Sequence, residues 1–204
     1  MTASQEIAKR LIDIVVSAAA LVLLSPLFAL IAIAILFDSP GKVLLRQERS
    51  GLGGLSFTLF KFRTMLENAP DLRNPDGSTY NSLADARVTR VGHLLRITSL
   101  DELPQLLNVL VGEMSLVGPR PDLVDQSRYY GVDEWRRLKV KPGITGLAQI
   151  NGRNIISWTA RTRLDLEYIA HQSVILDLRI LWRTPGCVLS CRDIFITNAR
   201  RTAR

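Results

Sequence analysis

Residues 87–121, RVTRVGHLLRITSLDELPQLLNVLVGEMSLVGPRP, hold the pattern on which the reading of the whole chain turns. Ser99-Leu100-Asp101-Glu102 has the S-x-x-E spacing of a capping box. It runs into an apolar series, Leu103, Leu106, Leu107, Val109 and Leu110, that predicts a helix. As a cap, Ser99 would accept from the backbone near Glu102, Glu102 would reach back, and Asp101 would sit favourably against the helix dipole. The same residues support a chemical reading. A carboxylate at a helix N-terminus stays ionised and can attack a phosphorus centre, and a neighbouring carboxylate is a hard ligand suited to Mg²⁺. Arg87, Arg90, Arg96 and Arg120 bring guanidinium forks that match phosphate oxygens. In Pro119-Arg120-Pro121 two prolines restrict the backbone on either side of one arginine, a rigidity that an ordinary surface arginine does not need. Helix cap and phosphate site both fit the stretch.

Toward the N-terminus, Ile14 to Phe37 carries no charge, enough for a helix of about 36 Å against a hydrocarbon core of ~30 Å. The run is too long for the apolar core of a signal peptide, and no small-x-small cleavage site follows it directly. Ser25-Pro26 interrupts it, where the proline removes a backbone donor and crowds the carbonyl of Val22. A bend is expected there, with the Ser25 hydroxyl satisfying a freed backbone group. Lys9 and Arg10 precede the run, and Lys42, Arg46 and Arg49 follow it. Basic flanks prefer the cytoplasm, so a re-entrant hairpin satisfies both ends while a kinked single span satisfies one. Both topologies stand on the residues alone.

After the turn cluster Asp38-Ser39-Pro40-Gly41, Lys42 to Arg49 and Leu55 to Arg63 read as two strands of a small hairpin joined through Gly51 to Gly54. Those glycines match no phosphate-loop pattern, whereas Lys61 and Arg63 on the second strand can face a phosphate or an anionic membrane surface. Glu67 to Ala86 is a long polar loop with room for a helical turn around Met65 to Leu72. Asp122 to Leu138 has helical spacing interrupted near Gly131, and Lys141 to Gly146 reads as a loop. Arg153 follows Asn151-Gly152 and either approaches a ligand or forms a structural salt bridge. Ile155 to Gln172 is a helix in which Asp165 lies four residues from Arg161, a spacing that pairs charges on one face. Val174 to Thr184 sets Trp182 and apolar residues against Asp177, Arg179 and Arg183, which suits an amphipathic helix in a membrane interface or packing on a core.

The totals give 26 Lys and Arg against 19 Asp and Glu, a net charge of +7, so anionic partners are expected. Composition admits a non-catalytic, membrane-anchored basic protein that binds nucleic acid or anionic lipid. No helix-turn-helix, zinc finger or RNP-like motif supports the nucleic-acid version. Cys187 and Cys191 lack a second pair to complete a zinc site and read as reduced residues of a helix, in keeping with a cytoplasmic compartment. His93 and His171 read as incidental.

The chain resembles the bacterial sugar transferase family, the small monotopic polyprenyl-phosphate phosphoglycosyl transferases. The matching segments are KRLID at 9–13, SP at 25–26, SPGKVLLRQERSG at 39–51, FTLFKFRTM at 57–65, the stretch 87–121, and KPGITGLAQINGR at 141–153. The resemblance implies transfer of a sugar-1-phosphate from a UDP-sugar to polyprenyl phosphate, undecaprenyl phosphate by expectation, with release of UMP. It implies Asp101 as a nucleophile forming a covalent phosphosugar, Glu102 as the Mg²⁺ ligand, and Lys61, Arg63, Arg96, Arg120, Arg153 and Asp165 as phosphate- or nucleotide-binding positions. It also implies a re-entrant helix broken at Ser25-Pro26. The expected fold is α+β and mostly helical: a membrane-inserted helix-break-helix over residues 1–38, a catalytic domain over 39–195 with a small β-hairpin and interfacial amphipathic helices, and a basic tail over 196–204. The expected location is the cytoplasmic face of the bacterial inner membrane, in contact with lipids and not with nucleic acid. Neither the sugar nor the oligomeric state follows from these motifs.

Overall fold

A computed structural model describes residues 1–74, 80, 82, 84–152 and 156–190. The architecture is α+β and mostly helical, with two small sheets. Arg153, Cys191 and the basic tail lie outside the described residues.

Helix α1 (Ala3–Leu23) and helix α2 (Ser25–Asp38) meet at Leu24 with a bend of 59°. The bend sits where Ser25-Pro26 predicts it, and the Ser25 hydroxyl donates to the Val22 carbonyl at 2.8 Å, as expected for the acceptor that the proline leaves without its helical partner. No single helix among the described residues is long and apolar enough to cross a membrane. Beyond its first turn, the polar residues of α1 (Lys9, Arg10, Asp13 and Ser17) face protein. Lys9 Nζ donates to the Val117 carbonyl and to Asp177 (2.6 Å), and the buried Asp13 carboxylate accepts from the Leu116 amide at 2.9 Å. The opposite face, including Leu11, Val15, Val22 and Leu23, is exposed.

Strands β1 (Leu44–Ser50) and β2 (Ser56–Phe62) form the expected antiparallel hairpin, with Leu45 opposite Lys61 and Arg49 opposite Phe57. No helical turn forms around Met65 to Leu72; Met65 instead makes an isolated bridge to Val88, which ties the long loop back to the hairpin. Helix α3 (Arg90–Thr98) is capped by the Thr89 hydroxyl, and helix α4 (Gln105–Val111) follows after a tight 3₁₀ turn over Leu100–Glu102. Arg10 donates to the Val109 and Leu110 carbonyls, satisfying the C-terminus of α4 with a cation, which the helix dipole favours.

The second sheet corrects the reading of Lys141 to Gly146 as a loop. Strand β3 (Ser115–Val117) pairs in parallel with strand β4 (Gly143–Thr145), on either side of helix α5 (Val132–Arg137) in the chain. Its glycines allow close approach as well as turning: a Cβ on Gly143 would stand 2.1 Å from the Gly118 amide nitrogen. The break near Gly131 is present, between a 3₁₀ segment at Val124–Tyr129 and α5. A short helix α6 (Leu147–Ile150) leads to α7 (Trp158–Ala170) and α8 (Val174–Leu189).

The main core joins Phe57 and Leu59 of β2, Leu106 and Val109 of α4, Met114, Leu116, Val117, Ile150, Tyr168 and Ile180. Ile12, Ala20 and Leu21 of α1 pack against it, so this helix closes the domain as well as leading to α2. A smaller core sets Ile31 and Ile35 of α2 on Phe62 and Leu95. On α8 the split between faces is sharp: Asp177 and Ile180 are buried, while Trp182 is 87% exposed, beside exposed Ile175, Leu178 and Leu189.

Candidate active site

Three separate segments converge on Asp101 and Glu102. Helix α3 ends at Ser99 in the left-handed region (φ 57°), which reverses the chain and starts the 3₁₀ turn carrying both acids. Ser99 makes no side-chain cap hydrogen bond in that turn, and Glu102 points elsewhere, so the expected capping box does not form. The S-x-x-E spacing needs Ser99 in extended backbone for a cap, and the reversal takes that geometry away.

The second segment is β2. Its outer edge is held by Asn108, a fully buried residue of α4, which accepts from the Phe60 amide at 3.1 Å and donates to the Thr58 carbonyl at 2.7 Å. The amide side chain thus stands in for a neighbouring strand. This pins Lys61 beside the acids, with Nζ 3.1 Å from Glu102 Oε1 and 3.6 Å from Asp101 Oδ2. The third segment is the Pro119-Arg120-Pro121 turn, whose guanidinium grips both oxygens of Glu102, with Nη1 to Oε2 at 3.0 Å. Arg96, one turn upstream on α3, donates to the Thr64 hydroxyl at 3.0 Å and acts electrostatically on Asp101.

The two carboxyls are therefore shifted in opposite directions. Burial opposes the charge on Glu102, but Arg120 and Lys61 outweigh it and hold this carboxyl well below the usual carboxylate range. Asp101 goes the other way. Burial pushes it up, Lys61 at 3.6 Å offsets only part of that, and the neighbouring Glu102 charge pushes it further. The surroundings of Asp101 thus differ from the expected helix N-terminus: the near cations are committed to Glu102, and Asp101 is 7% exposed in a turn preceding the helix.

Two expected residues lie elsewhere. Arg63 is buried, and its guanidinium donates to the Ser39 hydroxyl and carbonyl and to the Lys42 carbonyl; it fastens the exit of α2 to the end of β2. Asp165 is buried in a second ionic cluster behind the Arg120 turn. Its partner is not Arg161, as the i, i+4 spacing suggested, but Arg137, whose Nε stands 2.8 Å from Asp165 Oδ2. The Arg137 Nη1 is 2.6 Å from Asp122 Oδ2, its Nη2 donates to the Arg120 carbonyl at 3.3 Å, and the Trp158 ring lies 5.7 Å away. The Tyr130 hydroxyl adds a hydrogen bond to Asp122, and Arg49 donates to the Pro121 carbonyl at 3.1 Å. Arg137 and Arg49 thus hold two successive carbonyls, those of Arg120 and Pro121, within the turn that aims Arg120.

Sequence reasoning passed over Arg49, Asn108, Asp122 and Arg137 as site-building residues. Asn108 carried a usable signal, since a polar residue inside the apolar run of α4 has to find partners once buried. Arg137 carried none: Arg136-Arg137 reads as two surface charges, and burial of the second depends on contacts distant in sequence.

No group of three or more His, Cys, Asp or Glu side chains among the described residues is placed to hold a metal. The adjacent carboxylates of Asp101 and Glu102 do fit Mg²⁺, which is commonly held by one or two carboxylates together with substrate phosphates. Glu102, the member of the pair whose charge its surroundings favour, is the better hard donor.

The family model described as bacterial sugar transferase matches residues 4–191. The chain is 49% identical over 173 residues to an uncharacterized sugar transferase, EpsL, of Bacillus subtilis, covering 84% of this chain and 81% of that protein. It is 43% identical over 195 residues to the exopolysaccharide production protein ExoY of Rhizobium meliloti, covering 90% and 86%. It is also 43% identical over 200 residues to a UDP-glucose:undecaprenyl-phosphate glucose-1-phosphate transferase of Caulobacter vibrioides, covering 93% and 73%. With its convergent acid pair, lysine and proline-locked arginine, the chain belongs to the bacterial sugar transferase family.

Proposed function

We propose that this protein transfers a sugar-1-phosphate from a UDP-sugar to polyprenyl phosphate, releasing UMP, through a covalent intermediate on Asp101. The observation that carries this reading is the Asp101-Glu102 pair with Lys61 and Arg120 brought onto it from separate segments. The relative in Caulobacter vibrioides, named for this reaction with glucose, makes UDP-glucose the first donor to test.

In the first step an Asp101 carboxylate oxygen attacks the phosphorus bearing the sugar. The bond from that phosphorus to the bridging oxygen breaks, and UMP leaves with the electron pair. In the second, a phosphate oxygen of the lipid attacks the same phosphorus, and the aspartyl bond breaks to return the carboxylate. Asp101 must be ionised to attack, and Lys61 is the cation placed to favour that form. Arg120, with a partly exposed guanidinium, can shift from Glu102 to phosphate oxygens when the donor arrives, and the rigid turn limits the entropy lost in that exchange. Glu102, with the donor phosphates, would hold Mg²⁺, which supplies charge neutralisation between an anionic nucleophile and an anionic substrate.

The membrane seat is a re-entrant hairpin of α1 and α2 on the cytoplasmic face of the inner membrane. Support comes from the 59° bend, the apolar surround of α2, and the exposed Phe37, Leu23, Trp182 and Leu189 on α1, α2 and α8. Each such side chain taken out of water contributes roughly 1.5–3 kcal/mol. The site then lies where a soluble nucleotide sugar and a membrane-embedded lipid phosphate both reach it. Measuring UMP release from a panel of UDP-sugars, with and without polyprenyl phosphate and Mg²⁺, tests the function. Release from none of them would reject it. Labelling single cysteines at positions 5 and 43 from the cytoplasmic side tests the topology: both react in a hairpin, only one in a span.

A further inference from the structure

The charges around the Arg120 turn do not balance. Arg49, Arg120, Arg137 and Arg161 share the surroundings of three carboxylates, Glu102, Asp122 and Asp165. Cations outnumber these carboxylates, and the nearby Glu134 carboxylate is already taken by the Trp158 ring nitrogen and the Thr162 hydroxyl, each at 3.1 Å.

The excess is concentrated at Arg161. It lies in the first turn of α7 on one stripe with Trp158, Thr162 and Asp165. The other three residues of the stripe are committed to α5: Trp158 and Thr162 to Glu134, Asp165 to Arg137. Among the described residues the Arg161 guanidinium makes no hydrogen bond and no ion pair, although the residue is only half-buried and so open to a ligand. Burial works against its charge, Asp122 compensates in part, and Arg120 and Arg137 add repulsion. A guanidinium crowded by other cations and lacking a partner is the arrangement that an arriving anion relieves.

We propose that Arg161 and Arg120 together form the subsite for the nucleotide-side phosphate of the diphosphate donor, the phosphate that departs on the mononucleotide. This rests on the function proposed above and adds a residue to it. Arg120 reaches the acid pair through Glu102, and its carbonyl is held by Arg137, the partner of Asp165 on the Arg161 stripe. A bound diphosphate would supply the negative charge that this excess lacks.

The test is equilibrium binding of UDP to the full-length protein in detergent micelles, by calorimetry, for wild type, Arg161→Met, Arg161→Lys and Arg163→Met. Arg163 is an exposed cation two residues away and reports loss of general charge. Arg161→Met is expected to weaken UDP binding about tenfold to a hundredfold, the range for losing a charge-assisted hydrogen bond to phosphate. Arg161→Lys should recover part of that affinity, and Arg163→Met should stay within about threefold. KM for the donor should rise in step, with little change in kcat. Wild-type affinity in Arg161→Met or Arg161→Lys, or an equal loss in Arg163→Met, would overturn the proposal; should Arg161→Met fail to fold, the lysine variant decides through its intermediate affinity. If wild type itself bound no UDP, the function would fall first, a result distinct from the failure of Arg161 alone.

Discussion

Two ionic clusters lie on either side of the Pro119-Arg120-Pro121 turn, and they are built differently. Behind the turn, Arg137, Asp122 and Asp165 are sealed, with side chains 3%, 6% and 1% exposed and ion-pair distances of 2.6 and 2.8 Å. In front of it, Lys61, Asp101, Glu102 and Arg120 keep 15%, 11%, 16% and 32%, and Asp101 is held only by a contact of 3.6 Å. These three side chains satisfy one another, so their chemistry is structural. The front cluster has one carboxyl over-supplied with cations and one under-supplied, an imbalance that a substrate or a metal can redistribute. Similar residue types thus serve as scaffold or as reagent according to how completely they are satisfied.

Substitutions should separate the two clusters. The largest expected effect is on turnover: Asp101→Asn should lower UMP release by at least about a thousandfold, as loss of a covalent nucleophile does, while the thermal midpoint stays near wild type or rises, because a neutral amide removes a buried charge. Arg137→Met should do the opposite kind of damage, costing about 3–5 kcal/mol of stability by leaving Asp122 and Asp165 buried without their cation, read in a denaturant or thermal melt. Pairing it with Asp165→Asn should recover part of that loss. Arg120→Lys keeps the charge but loses the two-pronged grip, and a fall in kcat/KM of about tenfold to a hundredfold is expected with little change in melting.

A smaller effect is expected in the pH profile. Asp101 is active as the carboxylate and its pKa is raised by burial, so the rate should climb with pH through that raised value and fall on the acid side. Lys61→Met removes the cation that opposes the shift, so the acidic limb should move to higher pH. A limb unmoved by this substitution would mean that another group sets it.

Much of this arrangement was legible in the chain. The break at Ser25-Pro26, the hairpin through Gly51 to Gly54, the interruption at Gly131 and the pairing of acids with Lys61 and Arg120 all follow from local rules or from motif resemblance. What escaped depends on long-range placement. Arg63 has the composition of a phosphate ligand, yet its guanidinium binds the backbone around Ser39 because the exit of α2 passes beside it. Ser99 has the sequence of a cap, yet the left-handed turn between α3 and α4 takes it out of capping geometry. Asp165 and Arg161 are spaced to pair, yet Arg137 arrives from α5 and donates its Nε to Asp165 and its Nη1 to Asp122. In each case the side chain's nature was readable and its partner was not, because the partner came from a different element.

The most direct measurement is intact-mass spectrometry of the purified protein after incubation with a UDP-sugar that it turns over, before any polyprenyl phosphate is added. A covalent mechanism predicts a mass increase of one sugar phosphate mapping to the peptide that holds Asp101, with one UMP released per adduct, absent in Asp101→Asn. An unmodified protein that releases UMP only when the lipid acceptor is present, or an adduct that persists in Asp101→Asn, would contradict it.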